Sequence, residues 1–405
     1  MGTSRRITRM TESRLRVTAV DALRGLVMIV MALDHTRDFL SDEAMNFSPE
    51  TLVRTTPALF FTRWATHICA PVFLFTAGMA ARLRMERGVA PRQMSWYLAT
   101  RALWLILIEV TVMRLAMNYT FDLRYPVFLI ILWALGWSMI ALAALVHLPP
   151  RAVGALGLAV IVLHNTLDAV TPAQFGPLAW LWTIVHQPGL LSFGGITAVA
   201  GYPVLPWMGV MAAGFSAAEI YTWTAERRLR VLRLAGTAGI IGFVVLRFIN
   251  GYGDPSPWSQ QGSPAMSIVS FLNTTKYPPS LVFLLMTLGP AALLLAWLER
   301  RSPGEHHPFV VFGREPFAYY VVHFWLLHAV ASVATFLRYG PGAWTFFWHP
   351  LPSMGGAREM FPPDLGYSLG WVYVAWIALV TALYPFCLWL SRVKARRGHW
   401  WLSYL

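Results

Sequence analysis

Apolar residues run along this chain in long blocks, and the polar positions between them gather into short stretches. Ten blocks approach or reach the roughly 17–25 residues that carry a helix across a bilayer. They are residues 17–38, 58–81, 94–116, 126–146, 152–168, 203–222, 231–250, 277–298, 309–336 and 369–391. The pattern predicts an all-α fold, a polytopic transmembrane helix bundle of about ten spans. It reads as a single domain over 17–391, between a basic arm at 1–16 and a basic tail at 392–405.

Composition supports that picture. Of 405 residues, 57% are hydrophobic and 13% charged, with a mean hydropathy of +0.52. That is too little charge to cover a soluble surface of this length. The net charge of +13 suggests nucleic acid, but its distribution argues against that partner. Segments 1–16, 82–93, 147–151, 223–230, 299–308 and 392–405 hold nineteen Arg and Lys, against five in the opposite loops. This positive-inside asymmetry predicts both termini in the cytoplasm. Thirty of the 32 basic residues are Arg, as a GC-rich bacterial genome would encode, so a bacterial cytoplasmic (inner) membrane is expected. The sixteen-residue polar arm and the lack of a small-residue cleavage site predict a retained signal-anchor helix. Cys69 and Cys387 fall in apolar runs and give no disulfide framework or thiolate metal pattern.

Charges inside the blocks change the picture from a bundle to a site. "DALRGLVMIVMALDH" (21–35) carries Asp21, Arg24, Asp34 and His35, at about 2.5–3.5 kcal/mol for each charge near a helix centre. On a helical wheel Arg24, Asp34, His35 and Asp38 fall within about 100°, with His35 about 16 Å further along the axis than Arg24. That face must look into the protein or a wet cavity. Histidine suits general acid–base chemistry near neutral pH, and Asp38 or Asp34 would hold its other nitrogen. The plainer reading pairs Arg24 with Asp21 and leaves His35 to a loop carbonyl.

Other blocks add to the set. Arg63 and His67 stand at i, i+4 on the second block, near the outer level of His35. "FGREPFAYYVVHFWLLH" (312–328) puts Glu315, Tyr319 and His323 on one stripe, with His328 on another face. Arg314, at the cytoplasmic start of that block, would meet phosphate, and Glu315 would otherwise cap or pair there. "NTTKYPPS" (273–280) brings Lys276, the lone lysine in any loop between spans, beside Tyr277 and two prolines. Its plainer reading is a snorkelling lysine. Arg247 and Asn250 end the seventh block. The loops 39–57, 169–202, 251–276 and 337–368 are long and rich in Pro, Gly and Trp. Trp180, Trp182 and Trp258 would be interface anchors or line a sugar-binding surface. The two-histidine zinc helix, the Walker A loop, the dinucleotide glycine fingerprint and the Gly-x-Ser-x-Gly elbow are all absent. His306 and His307, adjacent in a loop, do not make a metal site, so no metal is expected.

Arg24, ten residues, then His35 resembles the signature of membrane acyltransferases of the acyltransferase-3 kind. "PVFLFTAGMAARLR" (71–84) resembles their FFxxSG segment. The chain is more similar to bacterial relatives of heparan-α-glucosaminide N-acetyltransferase. Three segments carry this in order: "VDALRGLVMIVMALDHTRDFL" (20–40), "KYPPSLVFLLMTLGPAALL" (276–294) and "FGREPFAYYVVHFWLLH". The resemblance implies ten or eleven helices that move an acyl group, acetyl by family, from cytoplasmic acyl-CoA to a glycan or amino sugar outside. It also implies a catalytic histidine near the outer face. His35 matches by motif, with Asp34 and Asp38 beside it, and His67 is the second candidate. With acetyl-CoA as donor, Arg24 and Arg314 would bind its polar part. Arg63, Glu315, Tyr319, His323, Lys276 and Tyr277 would serve the substrate site. His35 would act as general base or as a transient acyl carrier. A homo-oligomer is compatible with the sequence.

Composition and topology equally fit a proton-coupled secondary transporter or flippase, in which buried Asp, Arg and His form a proton relay. The two halves show no internal similarity and no matching broken helices, which argues against that class.

Overall fold

The computed structural model describes residues 17–396 together with Leu402 and Tyr404. The expected arm at 1–16, and the tail at 397–401, 403 and 405, lie outside the described residues. Each expected span falls on a helix. α1 (Thr18–Leu40) is followed by α2 (Pro57–Trp64), which passes through a 3-10 turn at Ala65–Ile68 into α3 (Cys69–Glu86). α4 (Pro91–Ile108) passes through a π-helical turn at Glu109–Met113 into α5 (Arg114–Asn118). Then come α6 (Ile131–Leu145), α7 (Pro150–Leu163), the short α8 (Ala179–Val185), α9 (Val204–Ala217), α10 (Ala225–Ile249) and α11 (Pro264–Leu272). α12 (Leu281–Arg301), α13 (Pro308–Arg314), α14 (Pro316–Tyr339) and α15 (Leu369–Arg396) complete the chain.

Among the described residues, seven helical stretches are long and apolar enough to cross a membrane: 57–86, 150–167, 204–222, 225–249, 281–301, 316–345 and 369–396. The other three expected spans are helices of different character. α1 holds the ionisable face, α4–α5 holds Arg92, Arg101, Glu109 and Arg114, and α6 has only 15 residues. The expected span 309–336 is two helices, because the chain turns at Glu315 (φ −122°, ψ 42°) before Pro316 starts α14.

The all-α expectation needs one correction. Strands β1 (Val127–Leu129), β2 (Gly189–Phe193) and β3 (Ile196–Ala200) form a three-stranded sheet in the order β1–β3–β2. β1 runs parallel to β3, with Val127 opposite Ala198, and β2 pairs antiparallel to it, with Phe193 opposite Ile196. Gly194 and Gly195 form the two-residue hairpin loop, both at positive φ (55° and 84°). A tight hairpin turn asks for that geometry, and glycine supplies it without steric cost.

Burial shows how the bundle is arranged. Most of α1 is buried, whereas α10 buries only Leu232, Gly236, Phe243 and Arg247. The outer faces of α10, α14 and α15 expose Leu234, Ile241, Phe248, Val333, Trp371 and Ile377. An apolar belt of this kind suits hydrocarbon and not water, so this is an integral membrane protein. α1 is the central helix, and α13 lies on it at backbone contact. A Cβ at Gly25 would stand 1.7 Å from the Phe309 carbonyl, and one at Gly313 would stand 1.7 Å from the Asp21 carbonyl. That approach fixes Arg24 and Arg314 at the same end of the bundle. Lys394, near the end of α15, joins them there through a 2.5 Å ion pair with Glu315. At the opposite end, loop 41–56 is tied down by the Asp42 N–H donating to the Tyr367 carbonyl (3.1 Å) and by the Asn273 amide donating to the Glu50 carbonyl (3.0 Å).

Candidate active site

Three basic and three acidic groups meet where the C-terminal end of α1 faces α2. Arg37 Nη1 reaches Asp34 (2.8 Å) and Arg37 Nη2 reaches Asp38 (2.6 Å). Arg63 Nη1 donates to the other Asp34 oxygen, and Arg63 Nε donates to Glu50 Oε1 (3.2 Å). The same oxygen accepts from His67 Nε2 (3.0 Å). Arg63 thus bridges two carboxylates from different segments. Lys276 is buried close enough for its charge to act on Asp34, Glu50 and both His35 and His67. Three cations balance three anions, which is how ionisable groups become tolerable in a bilayer interior. Glu50 lies in the loop after α1. Burial alone would raise its carboxyl, but Arg63, the His67 hydrogen bond and Lys276 outweigh that and hold it below the usual carboxylate range.

His35 stands next to this network but is not held by it. Its Nδ1 lies 2.6 Å from His323 Nε2 on α14, and His323 Nδ1 lies 3.0 Å from the Tyr319 carbonyl. A carbonyl only accepts, so His323 Nδ1 carries the proton there. In a neutral ring that leaves His323 Nε2 as an acceptor, and His35 Nδ1 must donate to it. The remaining nitrogen, His35 Nε2, then carries a bare lone pair. It makes no hydrogen bond among the described residues, and His35 is only half-buried. His67 has the opposite arrangement. Its Nε2–H is committed to the ionised Glu50, and its Nδ1 is sealed from solvent without a partner. Of the two candidate histidines, His35 has the accessible basic nitrogen.

The wall facing these groups comes from distant segments. Asp254 accepts from Thr275 N (3.0 Å), Thr275 Oγ1 (2.8 Å) and Ser280 Oγ (2.9 Å), which fixes the Lys276–Tyr277 loop. Tyr277 and Tyr202 hydroxyls stand 3.4 Å apart. Burial alone would raise the Tyr277 hydroxyl, but Lys276 and Arg63 hold it below the ordinary phenol value. Arg247 is a clamp behind this wall, donating to the carbonyls of Ser256 (2.8 Å), Ser270 (3.1 Å), Phe271 (2.9 Å) and Asn273 (2.7 Å). It closes the C-terminal end of α11, where orphan carbonyls collect.

At the other end of α1, Arg24 pairs with Asp21 at 2.7 Å, as the plainer sequence reading has it. Arg314 pairs with Glu305 at 3.2 Å, and Glu305 is mostly exposed. Arg314 Nε is buried without a hydrogen-bond partner. Glu315 sits at this end too, on Lys394, whereas Tyr319, one turn further along α14, is in the core near Cys69 and Cys387.

The sequence-predicted residues therefore divide into two groups about 16 Å apart along α1. His35, Asp34, Asp38, Arg63, His67, Lys276, Tyr277 and His323 gather at the C-terminal end of α1, and Arg24, Arg314 and Glu315 at its N-terminal end, while Tyr319 stands between them with its ring stacked on His323 at 5.5 Å between centroids. The expected orientation of His35 by Asp38 or Asp34 does not form. Both carboxylates are taken up by Arg37 and Arg63, and the partner is His323, 288 residues away. Glu315 is likewise an ion-pair partner of Lys394 and not part of the histidine cluster. Trp182 and Trp258 are packing residues, on Phe175 and Phe271 respectively. Sequence reasoning missed Glu50, Arg37 and Tyr202. It also missed Glu109, whose Oε2 accepts the Leu132 (2.7 Å) and Trp133 (3.0 Å) N–H groups at the start of α6. A side-chain oxygen at a helix N-terminus answers its orphan donors, which explains one acidic residue in mid-span.

A membrane-embedded helical bundle with a polar, histidine-bearing interior is the class these features define. The family model for the heparan-alpha-glucosaminide N-acetyltransferase catalytic domain matches residues 16–246, and the chain belongs to that membrane acetyltransferase family. The matched region holds His35, Asp34, Arg63, Glu50 and His67 but ends before Lys276, Arg314 and His323. A search of curated protein sequences found no match.

Proposed function

We propose that this protein transfers an acyl group, acetyl in the first instance, from cytoplasmic acyl-CoA to a hydroxyl or amine of a glycan or amino sugar on the other side of the membrane. The observation that carries the reading is the directed hydrogen-bond chain from His35 through His323 to the Tyr319 carbonyl, which leaves His35 Nε2 as an accessible base. Arg24 and Arg314 lie at the end of the bundle where the positive-inside rule puts the cytoplasm, and they would hold the donor's phosphates. Arg314 suits this role, because its present partner is a solvent-exposed carboxylate that an anion displaces at little cost.

In the transfer step, His35 Nε2 takes the proton from the acceptor hydroxyl or amine as that atom bonds to the thioester carbonyl carbon. The C–S bond then breaks, and the leaving thiolate takes that proton from His35 Nε2–H, which gives the free thiol and returns the neutral base. In between, His35 is an imidazolium whose Nδ1–H still donates to His323, so the ring keeps its orientation while charged. Lys276 and the lowered Tyr277 hydroxyl face the reacting region and would bind the polar acceptor. General base catalysis of this kind contributes about 10²–10⁴-fold.

The test is release of free CoA thiol by purified protein in liposomes, with acetyl-CoA on one side and a panel of amino sugars on the other. Acceptor-dependent thiol release that His35→Ala reduces about 10²-fold or more supports the reading. Acceptor-independent release, or equal release by His35→Ala, contradicts it.

A further inference from the structure

On the outer side of α7, well away in sequence from the histidines above, three further side chains converge. His164 begins the 3-10 turn that ends α7, Asp168 closes that turn, and His186 follows the last residue of α8. One ligand-type atom from each lies within 4.8 Å of the others. Both imidazoles are buried, His164 at 2% exposure and His186 at none. Neither ring nitrogen of His164 completes a hydrogen bond, although the Pro279 carbonyl lies beside it, and His186 Nδ1 has no partner. His186 Nε2 stands 3.2 Å from Asp168 Oδ1. Unpartnered polar atoms at this depth are costly, and the His164 nitrogen that faces Asp168 and His186 is one of them.

We propose that His164, Asp168 and His186 form a binding site for a divalent transition-metal ion of the zinc class. Two neutral imidazoles and one carboxylate are a zinc ligand set with a fourth position for water, while calcium and magnesium ask for oxygen-rich shells. The 3.2 Å separation of His186 and Asp168 is close to the roughly 3.3 Å between two ligands of one tetrahedral zinc at about 2.0–2.1 Å. The surrounding groups are those that orient metal ligands. Asn165 Nδ2 donates to the other Asp168 oxygen (2.8 Å), and Gln187 Nε2 donates to the Asp168 carbonyl (3.2 Å). Trp182 covers His186 with its ring, 5.3 Å between centroids. The sequence expectation of no metal looked for contiguous motifs and passed over a set spread across twenty-three residues.

The site has a structural consequence. Asn165 Oδ1 accepts the Leu281 N–H (2.9 Å) at the start of α12, four residues after Tyr277. A metal joining α7 to α8 thereby steadies the loop that carries Lys276 and Tyr277. Its role is to hold the outer cap; it is not placed at the reacting atoms.

The experiment uses tag-free, detergent-purified full-length protein. Zinc content is measured by elemental analysis. The chelator-stripped protein is then titrated with Zn²⁺ and with Co²⁺, whose visible absorption reports tetrahedral coordination. The expected result is about one equivalent bound, with a rise in melting temperature on Zn²⁺ addition. Both are lost in His164→Ala and His186→Ala, and Asp168→Asn weakens binding at least tenfold. The titration of the wild type stands even if a variant fails to fold. Absence of saturable Zn²⁺ or Co²⁺ binding by the stripped wild type overturns the proposal and leaves a hydrogen-bonded cluster. Unchanged binding in the folded His164→Ala/His186→Ala double variant overturns it too, by placing the metal elsewhere.

Discussion

His35 Nδ1 lies 2.6 Å from His323 Nε2, and the Tyr319 carbonyl on the far side of His323 fixes which of the two rings donates. A one-turn step along α14 thus sets the tautomer of a residue on α1.

Replacing His323 separates orientation from chemistry. His323→Gln keeps a side-chain carbonyl able to accept from His35, and its kcat is expected to fall about tenfold or less. His323→Ala removes the acceptor, and its kcat is expected to fall about 10²-fold, with the KM for acetyl-CoA little changed in both. Steady-state kinetics of the two variants checks this. Equal losses in both would mean that His323 fills space and does not direct a proton.

Arg63 is the bridge between Asp34 and Glu50. Arg63→Met leaves two acidic groups short of a partner, and breaking a buried pair in this way costs about 3–5 kcal/mol. The melting temperature in detergent should drop accordingly. Adding Glu50→Gln to Arg63→Met should recover part of the loss, because one uncompensated charge is removed. A strictly additive double variant contradicts the bridge.

Glu50 gives a pH dependence of known sign. Its carboxyl is held below its unfolded value near 4.3. The stability it contributes is therefore complete above the unfolded pKa and is lost as pH falls through the lower, folded one. The melting-temperature advantage of wild type over Glu50→Gln should be constant from about pH 7 to 5 and shrink below about pH 4. An advantage that grows on acidification has the wrong sign for this network.

The backbone contact of α1 with α13 predicts a sharp glycine effect. Gly25→Ala and Gly313→Ala each put a Cβ 1.7 Å from a carbonyl oxygen of the other helix. Both should destabilise by at least the 1–3 kcal/mol or so typical of overpacking. Gly370→Ala meets nothing within 4 Å and should stay within about 0.5 kcal/mol of wild type. Thermal unfolding of the three variants in one detergent makes the comparison.

The helical layout was legible in the sequence because apolar block length is a local property, and so was the Arg24–Asp21 pair, one turn apart. The wheel also placed Arg24 and His35 at two levels along α1. What the wheel could not give was partner choice. Asp34 and Asp38 look available to His35 until Arg37 and Arg63 occupy them. Glu50 was passed over because it lies in a loop, and its importance comes only from its meeting with Arg63 and His67. The small sheet was missed for a different reason. Its strands are five residues or fewer, although the Gly194–Gly195 pair between apolar flanks was a readable hairpin signal.

The central claim is that donor binding belongs to the Arg24–Arg314 end and chemistry to His35. Equilibrium binding of acetyl-CoA to purified protein tests it without knowledge of the acceptor. Saturable micromolar binding that Arg314→Ala and Arg24→Ala each weaken about tenfold, and that His35→Ala leaves within about twofold, is the predicted result. Folded wild-type protein that binds neither CoA nor acetyl-CoA contradicts the account and makes the buried charges those of a transporter.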